Sequence, residues 1–503
     1  MRVRHLFLLL VAASTGASLP VTAQEAPEFG IRVVEDTLEN GLRLLVVPRP
    51  GIPIASFVVK YRVGSVNEPP GKTGISHVLE HLLFKGTTTV GTMDYEAERP
   101  LMDEMDRLFD TLRSLRGPPA VDHLRIQALM EEIRGLEEEA SRLVRSNELD
   151  QILREEGARN LNATTTVEST TYFVELPSNR AELWFILEGD RMRNAVFREF
   201  YTEREVVEEE RRLRLENNAG GLLYEAHLAA AFQVHPYGTP VVGHMDDIRH
   251  LSRDDVRSYF QRYYGPENAV VVVAGDVDPR RIRRWARRYL GGVPRGEPPP
   301  PVRSVEPPQR GQRRVEVVFD AEPSLRMGWK VPSASSEDAP PLYMLMSILT
   351  GGRSSRLYSR LVLEDRIASG VSASIEPGRL YPGLFSIQAS PLHPHSTREV
   401  EVAIQEELDR LRRVPPSERE IQQVRNQLEA SQVRRLRSNF GLALQLAEAA
   451  SLSGHWKEAF ESTRELMDVT PGDVQRVVRR YFRKEHMTVA TLVRPEGEAG
   501  GGK

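Results

Sequence analysis

The sequence predicts an α/β protein made of two related halves, and three observations carry this prediction. A stretch rich in Pro, Gly and Arg at 291–313 has no periodicity and divides the chain into parts of comparable size. Similar segments, 251–278 and 469–497, close the two parts. Each begins with a Ser or Thr helix cap, continues as an amphipathic helix ending in an aromatic pair, and leads into a strand. This matched order indicates an internal duplication.

The bulk composition is that of a globular protein. The 503 residues are 40% hydrophobic and 27% charged, with a net charge of -4, so no basic excess predicts binding to nucleic acid. Cysteine is absent, which predicts a fold held by its core and excludes thiol chemistry and cysteine-ligated metals. After the N-terminus, no segment approaches the roughly 18 apolar residues of a membrane-spanning helix, so no integral membrane segment is predicted in the mature chain.

Residues 1–23 predict a secretory signal peptide. Two arginines precede an apolar stretch, and the small residues Val21 and Ala23 stand at the -3 and -1 positions of a cut before Gln24. An N-terminal helix is the alternative. The signal predicts a periplasmic or secreted protein, and the lack of cysteine favours a bacterial one.

The first half, predicted at 28–290, opens with the strand-like runs LRLLVVPRP and ASFVVKYRVG. An insertion at 96–149 follows, with two highly charged segments that each carry an apolar stripe and are separated by GPP at 117–119. This pattern predicts a helical hairpin with a solvated face, and binding of a partner is the alternative. The second half, a homologous domain without metal, is predicted at 314–495, with a short tail at 496–503.

The stretch GISHVLEHLLFKGT, at 74–87, carries the first candidate site. His77 and His81 are four residues apart, so on a helix both rings point to one spot, where imidazoles bind a cation such as zinc. Glu80 would lie beside that ion and take a proton from water whose pKa the ion lowers. His-x-x-Glu-His is the inverse of the zincin pattern. The alternative is two histidines that share an amphipathic helix by chance.

A catalytic zinc needs a third protein ligand, and the predicted helix at 200–218 offers one. Glu203 and Glu210 share a face with two valines, and carboxylates beside buried valines are costly unless a positive group meets them. A plain surface helix with Glu–Arg pairs is the alternative. Three other histidines lie in segments that resemble turns and strand entries, which makes them weaker candidates: His227, His235 and His244.

Taken together, GISHVLEHLLFKGT, NATTTVESTTYFVELP and EREVVEEERR resemble the pitrilysin/insulinase family of zinc metallopeptidases, in its bacterial branch similar to the mitochondrial processing peptidase. HPYGTPVVGHMDD and GGRSSRLYSRLV match as well, and the resemblance spans essentially the whole mature chain. It implies two homologous α/β domains that face each other like a clamshell, with the hairpin inserted in the first.

Carried over residue by residue, the resemblance implies one zinc ion (Zn2+) per chain, held by His77, His81 and Glu210. Glu80 becomes the general base. Glu203 matches a second carboxylate that supports the site without binding the metal. The resemblance also implies an edge strand to which a substrate peptide adds by β-augmentation, and this strand carries Asn162, Ala163 and Thr164.

Two positions of the second half depart from the family pattern. Family members often carry an arginine and a tyrosine that stabilise the tetrahedral intermediate, and Val362 and Ser369 stand at the matching positions. In paired members one chain carries the metal and a homologous partner carries the arginine and the tyrosine. We therefore predict a zinc endopeptidase for short or unfolded peptides, acting inside a two-domain chamber as the catalytic subunit of a heterodimer.

Two other functions are open to the same sequence. One is a non-catalytic scaffold subunit of the same fold. The other is a metal-dependent hydrolase whose substrate is not a peptide. Metal content separates the scaffold from both enzymes, because a scaffold binds no stoichiometric zinc.

Overall fold

The computed structural model describes residues 30–115 and 123–495, together with the backbone of the strand Ala23–Ala26. The predicted signal peptide up to residue 22, the GPP turn and the tail at 496–503 lie outside the described residues. Within the described part, none of the helices is both long and apolar enough to cross a membrane.

The first half is a sheet of seven strands with helices packed against it. The strands are β1 Ala23–Ala26, β2 Ile31–Thr37, β3 Arg43–Pro48, β4 Ile54–Tyr61, β5 Arg159–Thr165, β6 Thr170–Pro177 and β7 Ala269–Gly275. The helices are α1 Ile75–Leu82, α2 Tyr95–Leu115, α3 His123–Ser141, α4 Glu148–Glu155, α5 Ala181–Asn194, α6 Phe200–Arg211, α7 Ala219–Ala231, α8 Met245–His250, α9 Arg253–Tyr263 and α10 Pro279–Trp285.

The second half is built around a sheet of five strands. These strands are β8 Arg313–Val318, β9 Ser324–Val331, β10 Ala368–Glu376, β11 Gly383–Pro391 and β12 Met487–Val493. Its helices are α11 Ala339–Thr350, α12 Arg356–Tyr358, α13 Thr397–Arg413, α14 Glu418–Arg437, α15 Asn439–Leu452, α16 Glu458–Asp468 and α17 Pro471–Tyr481.

The two sheets have the same topology. Five neighbouring strands of the first sheet run in the order β3-β7-β4-β6-β5, and the second sheet runs β8-β12-β9-β11-β10. In each sheet the last strand of the half pairs in parallel with the first strand of the order, and antiparallel with the next. This repeat is what a duplicated α/β domain requires. The predicted fold class is confirmed.

One helix of each half packs against the sheet of the other half. The strand β7 is buried along its whole length: Val271 and Val273 contact the helices of the first half, whereas Val270 and Val272 face α15 of the second half. In return, α7 of the first half packs on β8, β9 and β12 of the second sheet. Because side chains alternate between the faces of a strand, each sheet has one face for its own helices and one for the exchanged helix.

The insertion forms two long helices, α2 and α3, that pack against each other. The predicted stripes meet at this contact, where Met105 and Leu112 of α2 and Leu129 and Ile133 of α3 are buried. The opposite faces carry the charged residues. Residues 116–122, which join the two helices, lie outside the described part of the chain.

Candidate metal centre

The helix α1 carries the His-x-x-Glu-His stretch and is fixed at its start. Gly74 precedes it with φ +89, and a Cβ at this position would lie 2.6 Å from the carbonyl oxygen of Val242, so only glycine fits. The carboxylate of Glu68 accepts hydrogen bonds from the backbone N–H groups of Gly74, at 2.8 Å, and Ser76, at 2.9 Å. These bonds satisfy N–H groups that the first turn of a helix leaves unpaired. The direction of α1 is thereby fixed.

The structure brings the three predicted metal ligands together. His77 Nε2 lies 3.5 Å from Glu210 Oε2, and His81 Nε2 lies 3.8 Å from Glu210 Oε1. One ligand atom from each residue falls within 4.8 Å of the other two. The contact between α1 and α6 produces this convergence. A zinc ion with four ligands about 2.1 Å away holds their atoms roughly 3.4 Å apart, which is close to the two distances observed.

The neutral state of His77 and the contacts of Glu210 also fit a cation. Burial, together with the nearby His81 and Arg214, lowers the pKa of His77 to about 3, so this imidazole is neutral at neutral pH. Glu210 Oε2 is buried and accepts no hydrogen bond from the described residues, although Arg214 lies within ion-pair distance of it. Burial lowers the pKa of His81 as well, but the hydrogen bond with Glu203 and the charge of Glu210 outweigh burial and raise it overall. Two imidazoles and a carboxylate therefore meet at one point. Zinc accepts this set of ligands.

Glu203 contacts the outer nitrogen of a predicted ligand instead of the cluster itself. Its Oε2 lies 3.1 Å from His81 Nδ1, and its Oε1 lies 2.7 Å from Lys85 Nζ. Burial raises the pKa of Glu203, but the hydrogen bonds with His81 and Lys85 outweigh burial and lower it overall. An ionised carboxylate at Nδ1 fixes the ring orientation of a metal-binding histidine and directs Nε2 to the metal.

Glu80 lies on the same helix, beside the cluster, and touches the predicted substrate strand. The hydroxyl of Thr165, at the end of β5, donates a hydrogen bond of 2.5 Å to Glu80 Oε2. Burial raises the pKa of Glu80, and the hydrogen bond from Thr165 offsets part of that rise. Within the described chain, no hydrogen bond reaches the second carboxylate oxygen of Glu80.

The predicted substrate residues lie on an edge strand. β5 is the last strand of the first sheet, where Asn162, Ala163 and Thr164 pair with β6 on one side only. Asn162 and Thr164 are exposed, and Ala163 is buried. The free side of an edge strand presents backbone N–H and C=O groups that can pair with another chain.

Some residues of the site were not predicted from the sequence. Lys85 lies four residues after His81, and Arg214 lies four residues after Glu210, where its Nη2 is 3.3 Å from Glu210 Oε2. Both spacings are typical of one helix face and offered a signal. The sequence offered no signal for Thr165 and Glu68, because each contacts α1 from a different part of the chain.

The remaining predicted positions lie elsewhere. The weaker histidine candidates His227, His235 and His244 are not members of the His77 group. Val362 lies in a π-helical turn at 359–364, and Ser369 lies in β10. No arginine or tyrosine stands at these two positions.

The duplicated sheet and the His-x-x-Glu-His helix define a class of two-domain α/β proteins, and comparison with known proteins identifies the family. A model described as insulinase (peptidase family M16) matches residues 44–101 and 139–244, on either side of most of the insertion. A model described as peptidase M16 inactive domain matches residues 250–428. The chain belongs to the pitrilysin/insulinase (M16) family.

Named relatives are zinc proteases. The zinc protease PqqE of Helicobacter pylori is 26% identical over 464 residues, which cover 91% of each chain. The uncharacterized zinc protease YmxG of Bacillus subtilis is 22% identical and covers 92% of this chain and 98% of its own.

Solved structures have the same fold. A protease from Helicobacter pylori superimposes with a TM-score of 0.78 at 25% identity, covering 92% of this chain and all of that chain. The periplasmic protease PqqL of Escherichia coli gives a TM-score of 0.67 at 17% identity, and the match covers 95% of this chain but 48% of PqqL. This chain therefore has the fold of about one half of PqqL.

Proposed function

We propose that this protein is a zinc-dependent endopeptidase that hydrolyses short or unfolded peptides. The convergence of His77, His81 and Glu210, at distances that suit one zinc ion, carries the proposal. The zinc protease names of its relatives support the same activity. One zinc ion per chain is expected.

The residues around the cluster have different roles in peptide hydrolysis. When bound, zinc supplies a Lewis acid that polarises a carbonyl group and lowers the pKa of water. Glu80 accepts the proton of the attacking water and passes it to the leaving amine, while Thr165 holds the other oxygen of its carboxylate. Glu203 keeps the His81 ring in place.

The edge strand β5 sets the class of substrate. A peptide that adds to Asn162, Ala163 and Thr164 pairs through its backbone, which requires an extended chain and tolerates many side chains. The strand ends at Thr165, which contacts Glu80, so a peptide on this edge runs to the proposed base. Short or unfolded peptides meet this requirement, and folded proteins do not.

Substitution of Glu80 tests the activity. Glu80→Gln removes the proposed base but keeps its size, so peptide cleavage should fall by at least about 100-fold while bound zinc is retained. Digestion of a mixed peptide library, with and without a chelator, is the measurement. Zinc-dependent cleavage in the parent supports a peptidase, whereas a protein that binds no zinc is the scaffold. Zinc binding without cleavage of any peptide indicates a hydrolase of another substrate.

We further propose that a homologous partner chain completes the active site. Val362 and Ser369 replace the arginine and the tyrosine of the family, and PqqL contains about twice the length that this chain matches. Two such chains would enclose the peptide in a chamber. The purified chain alone should cleave peptides weakly, and the partner chain from the same source should raise the rate at least about 100-fold, which is the scale of one lost electrostatic contact to the transition state. Full activity of the purified monomer would refute the heterodimer.

We place this enzyme in the periplasm or outside the cell. The predicted signal peptide and the periplasmic description of PqqL support this location. A cut after Ala23 leaves Gln24 as the first residue, and Gln24 still pairs with Val33 in the first sheet.

A further inference from the structure

The insertion meets the metal centre through one buried arginine. Arg198 lies just before α6, and Glu98 lies in the first turn of α2, at the start of the insertion; each is 1% exposed. Arg198 Nε donates to Glu98 Oε1 at 2.9 Å, and Nη2 donates to Glu98 Oε2 at 3.3 Å. Two-point contact fixes the guanidinium plane as well as its distance.

The other N–H groups of Arg198 bind the loop at 85–91, which leads from α1 to α2. Nη1 donates to the carbonyl oxygens of Lys85, at 2.6 Å, and Val90, at 3.0 Å, and Nη2 donates to that of Thr87, at 2.7 Å. With the two bonds to Glu98, all five N–H donors of the guanidinium are used. The loop is therefore wrapped around this one side chain.

Two glycines make this wrapping possible. Gly86, at φ +95, and Gly91, at φ +87, adopt the left-handed conformation. A Cβ on Gly91 would lie 2.7 Å from Arg198 Nη1, and one on Gly86 would lie 2.2 Å from the carbonyl oxygen of Val90. No other residue type fits either position, so the loop is shaped specifically for the arginine.

The far end of the insertion holds the same loop. Glu148 Oε2 accepts a hydrogen bond of 2.6 Å from the backbone of Gly91, and Met93 N–H donates to the carbonyl oxygen of Leu143 at 2.7 Å. The insertion thus clamps the loop from both of its ends.

The loop in turn carries a side chain of the metal centre. Arg198 holds the backbone of Lys85, and Lys85 Nζ lies 3.0 Å from Glu199 and 2.7 Å from Glu203. Glu203 contacts the outer nitrogen of His81. A continuous series of polar contacts therefore joins Glu98 to His81.

We propose that the insertion supports the metal centre, and that Glu98 and Arg198 are positioning residues for His81. They fix the loop at 85–91, the loop fixes Lys85, and Lys85 with Glu203 fixes the ring that faces the metal. The inference rests on the proposed function, because it assumes that His81 binds zinc. Loss of an outer partner of a metal ligand typically weakens binding 10–100-fold.

Zinc affinity of the Glu98→Gln variant tests this role. The amide presents an NH2 group to the guanidinium, so Arg198 must shift and the loop with it. We expect the zinc dissociation constant, measured by competition with a chelator, to rise about tenfold. The visible absorption spectrum of the Co2+-substituted protein should change as well, because it reports ligand geometry. Glu131→Gln is the matched control: it makes the same change on α3 of the insertion, in an exposed pair with Arg134.

A double-mutant cycle distinguishes this pathway from general loss of stability. Lys85→Gln breaks the contact with Glu203 at the other end of the series. If both residues act along one pathway, the double variant should bind zinc about as weakly as the weaker single variant. Additive effects, or a Glu98→Gln variant with the parent's affinity and Co2+ spectrum, would overturn the inference.

If Glu98→Gln does not fold, Glu98→Asp replaces it in the same cycle, since it keeps the charge but shortens the reach. If the parent protein itself binds no zinc, the proposed function fails, which is a different result from the failure of the positioning role.

Discussion

Lys330 lies where the two halves and the segment between them meet, and the fold disturbs its ionisation strongly. Its Nζ is buried 3.3 Å above the ring of Phe232 and has no hydrogen-bond partner among the described residues. Glu306, which accepts three backbone hydrogen bonds from residues 233–235, lies 3.7 Å away. Burial lowers the pKa of Lys330 from 10.5 to about 7, against the opposing charge of Glu306.

The pH dependence of stability tests this environment. Between pH 7 and 10.5 the unfolded chain keeps the Lys330 proton that the folded chain has lost, so this group makes the free energy of unfolding rise with pH. Lys330→Met should therefore be more stable than the parent below pH 7, and its advantage should shrink across this window. Urea unfolding at both ends of the window measures it, with the exposed Lys484→Met as control. An advantage that is constant with pH would contradict the shifted pKa.

For single residues, the sequence predicts the candidate metal ligands better than the residues that hold those ligands in place. His77, Glu80 and His81 occupy one helical turn, so their spacing alone predicts a common site. Arg198 and Glu98 are separated by about a hundred residues and follow no period, and a buried ion pair between them has no local signature. The resemblance predicts Glu203 beside the candidate ligands, whereas Lys85, its partner, has only its four-residue spacing from His81 as a signal.

The helices α7 and α15 hold the two halves together, because each packs on the sheet of the other half. Both α7 and α15 are apolar on most sides, which is typical of helices buried all round, but their sequences do not tell which sheet they cover. The structure gives α15 to the first sheet, where Leu442 and Leu446 are buried against Val58 and Val272. Contacts between segments far apart in the sequence decide which sheet each of these helices covers.

Leu446→Ala should destabilise the protein by about 2–5 kcal/mol, because it removes a buried side chain between the halves and leaves a cavity. Since both halves share this contact, denaturant unfolding monitored by two probes should remain one transition at a lower midpoint. The exposed Leu124→Ala should leave the midpoint in place. A separate early transition of the second half would show that the halves are independent.

At the scale of the whole molecule, the duplication is far clearer in the structure than in the sequence. Only the closing helix and strand of each half are alike enough to be noticed, whereas the structure repeats a five-strand order together with its parallel pair. Strand order depends on pairing between distant segments, and buried strands accept any sequence of suitable apolar residues. The halves also differ at the candidate site, since the His-x-x-Glu-His sequence occurs in the first half and not in the second.

The insertion fits this picture of one specialised half. It lengthens the chain between His81 and Glu210 without moving either residue from the cluster, because its two ends meet at the loop at 85–91. Its hairpin pattern was predicted from the charged and apolar stripes. Its contacts with the metal centre were not.

Metal analysis of the purified protein tests the central claim most directly. The parent should contain one zinc ion per chain, Glu210→Gln should contain almost none after the same dialysis, and the exposed neighbour Glu209→Gln should keep the parent's content. A parent without zinc, or a Glu210→Gln variant that keeps all of it, would contradict a centre built from His77, His81 and Glu210.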